Sequence, residues 1–347
     1  TKKDLYEKSG HWAKFSEELF KIKTREDHLF AMKPMNCPHH TQIYARRQHS
    51  YRELPQRYAN TTMVYRDEQS GELSGLSRVR SITQDDAHVF CRESQAVEEA
   101  NKIWDIIEIF YKACGFEKMR IRLSLHDPQQ MEKYLGSAEQ WDYAENQLRE
   151  MLKNRNADYF EGIGEAAFYG PKLDFMAYDS LGRQLQVATI QIDRNMPERF
   201  DLVCINEQGE HERIVMLHAA IMGSIERFLS VLIEHFAGAF PLWLSPVQAT
   251  VLPISTDKHG DYAAKVAQTL KESGLRIEID DAAETLGNRI RKAQEQKIPY
   301  VIVLGDKEMQ ASTVNVRLRG GESLGEMGLE ELAKRMLEKV ETKELDL

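Results

Sequence analysis

Residues 64 to 90, VYRDEQSGELSGLSRVRSITQDDAHVF, hold the densest set of groups able to do chemistry. Read as one strand over 78–88, side-chain alternation puts Arg78, Arg80, Ile82, Gln84, Asp86 and His88 on one face. Two guanidiniums, an amide, a carboxylate and an imidazole converging there suit the floor of a binding site. Arg66 and Glu68 stand two apart on the neighbouring strand of the same expected hairpin. A guanidinium beside a carboxylate can hold a phosphate and read an amine edge together. A solvated strand face or a surface salt-bridge ladder carries the same pattern, and alternation alone does not choose. Cys37, His88 and His218 are metal ligands by type, but no two are close in sequence. Taken singly, each is more often a buried thiol or a hydrogen-bonded imidazole.

These residues need a frame. Segments 57–68, 78–91, 119–126, 172–179 and 184–193 are rich in β-branched and aromatic residues and read as strands of one sheet. The last two are separated by Asp179-Ser180-Leu181-Gly182-Arg183, which predicts a hairpin loop and antiparallel pairing. Between them, Val97, Ala100, Ile103, Trp104, Ile107 and Tyr111 recur at helical spacing over 94–114, with Gly115 as the stop. From about residue 245 the pattern changes to strands alternating with helices, the signature of a small α/β domain. The expected architecture is therefore an α+β domain over 1–244, built on an antiparallel sheet with flanking helices. An α/β domain with a mainly parallel five-stranded sheet follows over 245–347.

Composition bounds the function. The 347 residues are 42% hydrophobic and 29% charged, within the range of an ordinary globular protein. No apolar run approaches the ~20 residues that span a bilayer, and residues 1–12 have no signal-peptide core. Four widely spaced cysteines suit a reducing cytoplasm better than a disulfide framework. The formal net charge of -9 means that any nucleic-acid contact must come from local basic surfaces.

Arg66-Asp67-Glu68, a turn and Arg78 resemble motif 2 of class II aminoacyl-tRNA synthetases, and Gly223-Ser224-Ile225-Glu226-Arg227-Phe228 resembles motif 3. Met35-Asn36-Cys37-Pro38, Gln84-Asp85-Asp86-Ala87-His88, Tyr169-Gly170-Pro171-Lys172 and Leu217-His218-Ala219 are similar to the threonyl-tRNA synthetase family in particular. The likeness runs nearly end to end. It implies that Cys37, His88 and His218 hold one Zn²⁺ with a coordination position left for the amino and hydroxyl groups of L-threonine. Coordination of the hydroxyl would reject valine, which an apolar pocket separates poorly. It implies that Arg66, Glu68, Arg78, Gln191 and Arg227 bind ATP, which arrives with Mg²⁺. Met35, Gln84, Asp86, Tyr169 and Lys172 would bind threonine. Arg66 and Arg227 would act in catalysis, with His11 assisting transfer to tRNA(Thr). His39 and His40 receive no metal role and are expected to face solvent or tRNA.

The last domain resembles the anticodon-binding domain shared by several class II enzymes. Arg289, Arg291, Lys292 and Lys297 on its second helix, with Arg317 and Arg319 on a later strand, read either as a solvated basic face or as an RNA surface. The resemblance implies anticodon contacts at Glu308 and Arg317. The resemblance implies a homodimer, with motif 1 expected just before Thr1. Three further departures stand inside the chain: Ile82 where an aromatic residue is usual, Ala219 in place of an arginine, and Ala282-Ala283 in place of a basic residue and an asparagine. A seryl- or prolyl-type relative and a non-catalytic RNA-binding or regulatory paralogue are the competing readings.

Overall fold

The computed structural model describes residues 1–116, 119–178 and 182–347. It divides into two compact units, Thr1–Lys112 with Phe116–Val231, and Ala113–Gly115 with Leu232–Leu347.

The first unit is built on a seven-stranded sheet. Its strands in chain order are β1 (Gln56–Tyr65), β2 (Ser81–Cys91), β3 (Arg120–Leu125), β4 (Tyr159–Ile163), β5 (Lys172–Tyr178), β6 (Gln184–Asp193) and β7 (Val215–Ala220). They lie in the order β1-β2-β7-β6-β5-β3-β4. Every pair is antiparallel except β3 with β4. The antiparallel pairing of β5 with β6 is the one expected; residues 179–181 of the predicted connecting loop lie outside the described residues.

Register turns this sheet into a scaffold. Tyr58 opposes His88, His88 opposes His218, His218 opposes Gln191, Gln191 opposes Lys172, and Lys172 opposes Ser124. One cross-strand row thus spans six strands. Two residues along, and so on the same face, a second row contains Asp86, Thr189, Asp174 and Arg122. The reverse face is apolar. The helix Ala96–Ala113 lies there, with Trp104 meeting Phe175 edge to face at 5.2 Å. Its stripe of Ala100, Ile103, Trp104, Ile107 and Tyr111 is buried as the spacing predicts, and each large side chain contributes about 1.5–3 kcal/mol. Gly115 follows at φ 83°, which suits its role as the stop.

The strand expected over 78–88 begins only at Ser81. Residues 66–80 wind instead through a short 3-10 turn at Ser70–Glu72 and a bridge between Ser74 and Arg78. Alternation therefore holds for Ile82, Gln84, Asp86 and His88 but not for Arg78 and Arg80.

The second unit carries β8 (Ala249–Pro253), β9 (Ile277–Ile279), β10 (Tyr300–Leu304), β11 (Thr313–Leu318) and β12 (Ser323–Gly328), in the order β9-β8-β10-β11-β12. The first three are parallel and the last two pair antiparallel, so the five-stranded sheet of this α/β unit is mixed. β8 and β10 are buried throughout, as continuous apolar runs in parallel strands must be. The core gathers Val251, Val266, Leu270, Ile302, Val314 and Leu332. Among the described residues no helix is long and apolar enough to cross a membrane.

Candidate active site

The row of polar residues across β2, β7, β6 and β5 forms one wall of a cavity of about 270 Å³. Met35, Cys37, Arg66, Ile82, Gln84, Asp86, His88, Tyr169, Lys172, Gln191, His218 and Arg227 all line it.

At one end Cys37, His88 and His218 bring a thiol and two ring nitrogens within 4.8 Å of one another, all three buried. His88 and His218 meet because they oppose each other in the β2/β7 ladder, and Cys37 is delivered by the first turn of the helix Cys37–Ala45. His88 Nε2 and His218 Nδ1 face each other at 3.0 Å. The other nitrogen of His218 lies 2.8 Å from Asp193 Oδ2, and Tyr169 stacks on the ring at 4.5 Å. Burial, with Asp86 and Asp193 adding to it, pushes the Cys37 thiol well above its ordinary range. Burial, then His218 and His40, holds His88 neutral. A thiol and two imidazoles with one distal nitrogen on a carboxylate are the donors zinc takes, and the residues fit that ion.

Asp86 stands beside the triad. Its Oδ2 accepts hydrogen bonds from Asn36 N and Asn36 Nδ2 at 3.0 and 2.9 Å, and its Oδ1 lies 3.6 Å from His88 Nε2. Farther along the wall, Lys172 is held at 3.0 Å by Asp174, a fully buried carboxylate that also accepts from Arg122, Ser124 and Thr189. The side-chain carbonyls of Gln84 and Gln191 and Nε of Arg66 are buried without a protein partner, which leaves them for a ligand.

The other end is set by the start of the helix Ile225–His235. Asp85, on the reverse side of the strand from Asp86, accepts the backbone N–H groups of Ile221, Met222 and Gly223 at 2.9, 2.8 and 2.6 Å. Glu226 accepts from Thr83 N at 3.0 Å and from Ser224 Oγ at 2.9 Å. Together they fix the loop that presents Arg227, whose Nε donates to Ser77 O at 2.8 Å. Burial, then the charges of Arg66 and Arg78, lowers the Arg227 pKa.

Residues 20–236 match the tRNA synthetase class II core domain (G, H, P, S and T), and residues 248–339 match an anticodon-binding domain. The chain is 46% identical over 344 residues to the threonine--tRNA ligase of Prosthecochloris aestuarii and 49% identical over 333 residues to that of Rubrobacter xylanophilus. Those matches cover 98% and 96% of this chain but 52% of each relative, so the chain spans about half the length of the curated relatives it matches. Among solved structures, the RNA-binding domain of a threonyl-tRNA synthetase from Cryptosporidium parvum superposes with a TM-score of 0.90 at 38% identity. It covers 97% of this chain and 84% of that one. The chain belongs to the threonyl-tRNA synthetase family. A second structure, the putative threonyl-tRNA synthetase ThrRS-1 from Aeropyrum pernix, agrees at a TM-score of 0.82 and 30% identity over 99% of this chain and 82% of that one.

Not every candidate residue reaches the cavity. Arg78 and Glu68 bind each other instead, Nη2 to Oε2 at 2.6 Å and Nε to Oε2 at 2.8 Å. His11 is fully buried, with Nδ1 2.9 Å from Ser9 Oγ and Nε2 3.6 Å from Cys37 Sγ. His40 does not face solvent or tRNA: its ring is buried, with Nδ1 2.8 Å from Nδ1 of His88, because it stands one helical turn after Cys37. His39 is partly buried and meets Thr1 Oγ1 at 2.9 Å. In the second unit Glu308 accepts from Gly305 N at 2.9 Å and caps its own helix Asp306–Ala311, whereas Arg317 is exposed. Arg289 is no part of a basic face. It is buried and donates to Asp280 O and Pro253 O. Arg319 likewise binds Phe240 O and Lys297 O.

Sequence reasoning missed Asn36, Asp85, Asp174, Asp193 and Glu226 as positioning groups. Asp174 and Asp193 had a readable signal: a carboxylate inside an otherwise apolar strand must be paired. Asp85 had none, since alternation sends it away from the site.

Proposed function

We propose that this chain activates L-threonine with ATP and transfers it to the 3′ end of tRNA(Thr), residues 1–244 carrying the chemistry and 245–347 meeting the anticodon. The observation that carries the reading is the convergence of Cys37, His88 and His218 on the wall of the cavity that also holds Asp86, Lys172, Arg66 and Arg227. Zinc held by those three would bind the amino and hydroxyl groups of threonine and so select it against valine.

The first step needs threonine's carboxylate to attack the α-phosphorus of ATP and release pyrophosphate. In the second, a terminal tRNA hydroxyl attacks the carbonyl of the adenylate and AMP leaves. Neither requires a protein nucleophile, so orientation and charge neutralisation supply the acceleration. Asp86 accepts a hydrogen bond from the metal-bound threonine, and Gln84, Lys172, Tyr169 and Met35 close the pocket around it. Arg66, with an unpartnered Nε, and Arg227 offer cationic charge where the α-phosphate becomes most negative. Gln191 presents a free carbonyl between the two substrates. Arg78 would reach the distal phosphates, with their Mg²⁺, once its pair with Glu68 opens, and Glu68 would read the adenine amine. His11 would act at the transfer step. Arg317 and Glu308 are assigned to the anticodon, Glu308 after release from its helix cap. We assign the protein a homodimeric assembly and a cytoplasmic site of action by family likeness.

The test is elemental analysis for zinc beside threonine-dependent pyrophosphate exchange. One zinc per chain is expected, and Cys37→Ala should lose metal and exchange together. Full exchange in a metal-free wild type would end the reading. A non-catalytic RNA-binding paralogue is favoured by one observation, Ile82 in place of an aromatic platform for adenine. Retained zinc with no exchange for any amino acid would select it.

A further inference from the structure

His40 lies one turn after Cys37 on the helix Cys37–Ala45, with its ring 1% exposed. It meets His88 edge to face, ring centroids 4.8 Å apart and planes at 85°. Tyr58, which opposes His88 across β1 and β2, stands 6.0 Å from the His40 ring. A neutral imidazole has one N–H and one lone pair. Nε2 of His88 faces His218 Nδ1 within the triad, and as a ligand it must keep its lone pair there. The ring proton of His88 then belongs on Nδ1, which is buried and needs an acceptor. The nitrogen within reach is Nδ1 of His40, at 2.8 Å.

We propose that His40 is a positioning residue for the metal centre: its Nδ1 accepts the Nδ1–H of His88 and so fixes the ring orientation and the tautomer that turns Nε2 toward a divalent cation. This rests on the zinc reading above and deepens it. The two ligand imidazoles then have unlike supports. His218 donates to the Asp193 carboxylate, which enriches the ring, while His88 donates to a neutral ring that mainly orients it. Asparagine places Oδ1 where histidine has Nδ1 and can accept the same bond, whereas leucine cannot.

The full chain, stripped of metal, is reconstituted with Co²⁺, whose visible bands report coordination geometry. Affinity is read by chelator competition for wild type, His40→Leu, His40→Asn, His40→Gln and Cys37→Ser. One metal per wild-type chain is expected. His40→Leu should weaken binding about 10–100-fold and shift the bands, and His40→Asn should recover most of both. A leucine variant with wild-type affinity and spectrum overturns the proposal and leaves the zinc reading standing. A wild type that takes up no cobalt, or whose uptake and spectrum survive Cys37→Ser, overturns the zinc reading and this proposal with it. Should the leucine variant be unfolded by circular dichroism, asparagine against glutamine decides. Glutamine sets its amide one carbon farther out, so equal affinities overturn the proposal and tighter binding by asparagine supports it.

Discussion

At one end of the cavity Asp86, His88, His218 and Lys172 stand on regular strands and are held from behind. Asn36 holds Asp86, Asp193 holds His218, His40 meets His88, and Asp174 holds Lys172. At the other end Arg66, Glu68 and Arg78 ride on the winding segment after β1, where the two charged partners Glu68 and Arg78 satisfy each other. The difference follows the proposed tasks. Telling threonine from an isosteric neighbour needs donor atoms fixed in advance, and strands deliver that. ATP offers many contacts and a large charge, so groups that assemble around it as it binds suffice.

The largest effect is expected at the rigid end. Asp86→Asn keeps the volume and an acceptor for Asn36 but removes the charge that would face the bound threonine. Threonine-dependent exchange should drop in kcat/KM by on the order of 10²–10³, with zinc content unchanged. Activity within about threefold of wild type would mean that the Asp86 charge does not hold the amino acid, and would dissolve the contrast between the two ends.

Next comes the joint between the ends. Asp85→Ala leaves three backbone N–H groups at 221–223 without their carboxylate. A loss of about 2–3 kcal/mol in urea unfolding is expected, together with an ATP KM raised about tenfold as Arg227 loses its seat. The threonine KM should hold. Equal rises in both KM values would mean that Asp85 supports the whole sheet, not the nucleotide end.

How much of this was legible follows from where each residue sits. Ile82, Gln84, Asp86 and His88 were readable because period 2 is a property of the strand itself, and β2 is regular from Ser81. Arg78 and Arg80 failed because the chain leaves the strand before them, in a segment whose glycines and serines permit it. The convergence of Cys37, His88 and His218 is a matter of register between strands far apart in sequence, and nothing local encodes it; the family resemblance supplied it. His40 is buried, not outward-facing as expected, because one turn of helix after Cys37 brings it back to the same side as the thiol. In the second unit, β8 and β10 announced themselves as apolar runs, while β12, SLGEMG, has too little hydrophobic pattern to be located, although five strands were expected.

A third effect is a matter of pH. Burial, then the neighbouring His218, Arg66 and His39, lowers the His11 pKa from 6.5 to about 3. The unfolded chain takes up a proton at His11 below about pH 6.5 and the folded chain does not until near pH 3. Stability is therefore complete above pH 6.5 and declines as pH falls toward 3. His39 and His88 are lowered too and pull in the same direction, so the informative quantity is a difference. His11→Phe should show a shallower fall in urea midpoint between pH 6.5 and 4 than wild type. Parallel curves would mean that the ring is protonated in place.

The smallest effect belongs to the winding segment. The Arg78 side chain is 45% exposed, and a solvent-screened pair of this kind contributes ~0–1 kcal/mol. Glu68→Gln should leave unfolding free energy within about 1 kcal/mol of wild type. On ATP the substitution acts in two opposed ways: it weakens the reading of the adenine amine, and it frees a guanidinium for the distal phosphates. The ATP KM should therefore move by about fivefold or less, the equivalent of about 1 kcal/mol. Arg78→Ala has no such offset and should raise the KM further. If Glu68→Gln instead cost as much as Asp86→Asn, the Glu68–Arg78 pair would be a fixed part of the site, and the nucleotide end would be as preorganised as the metal end.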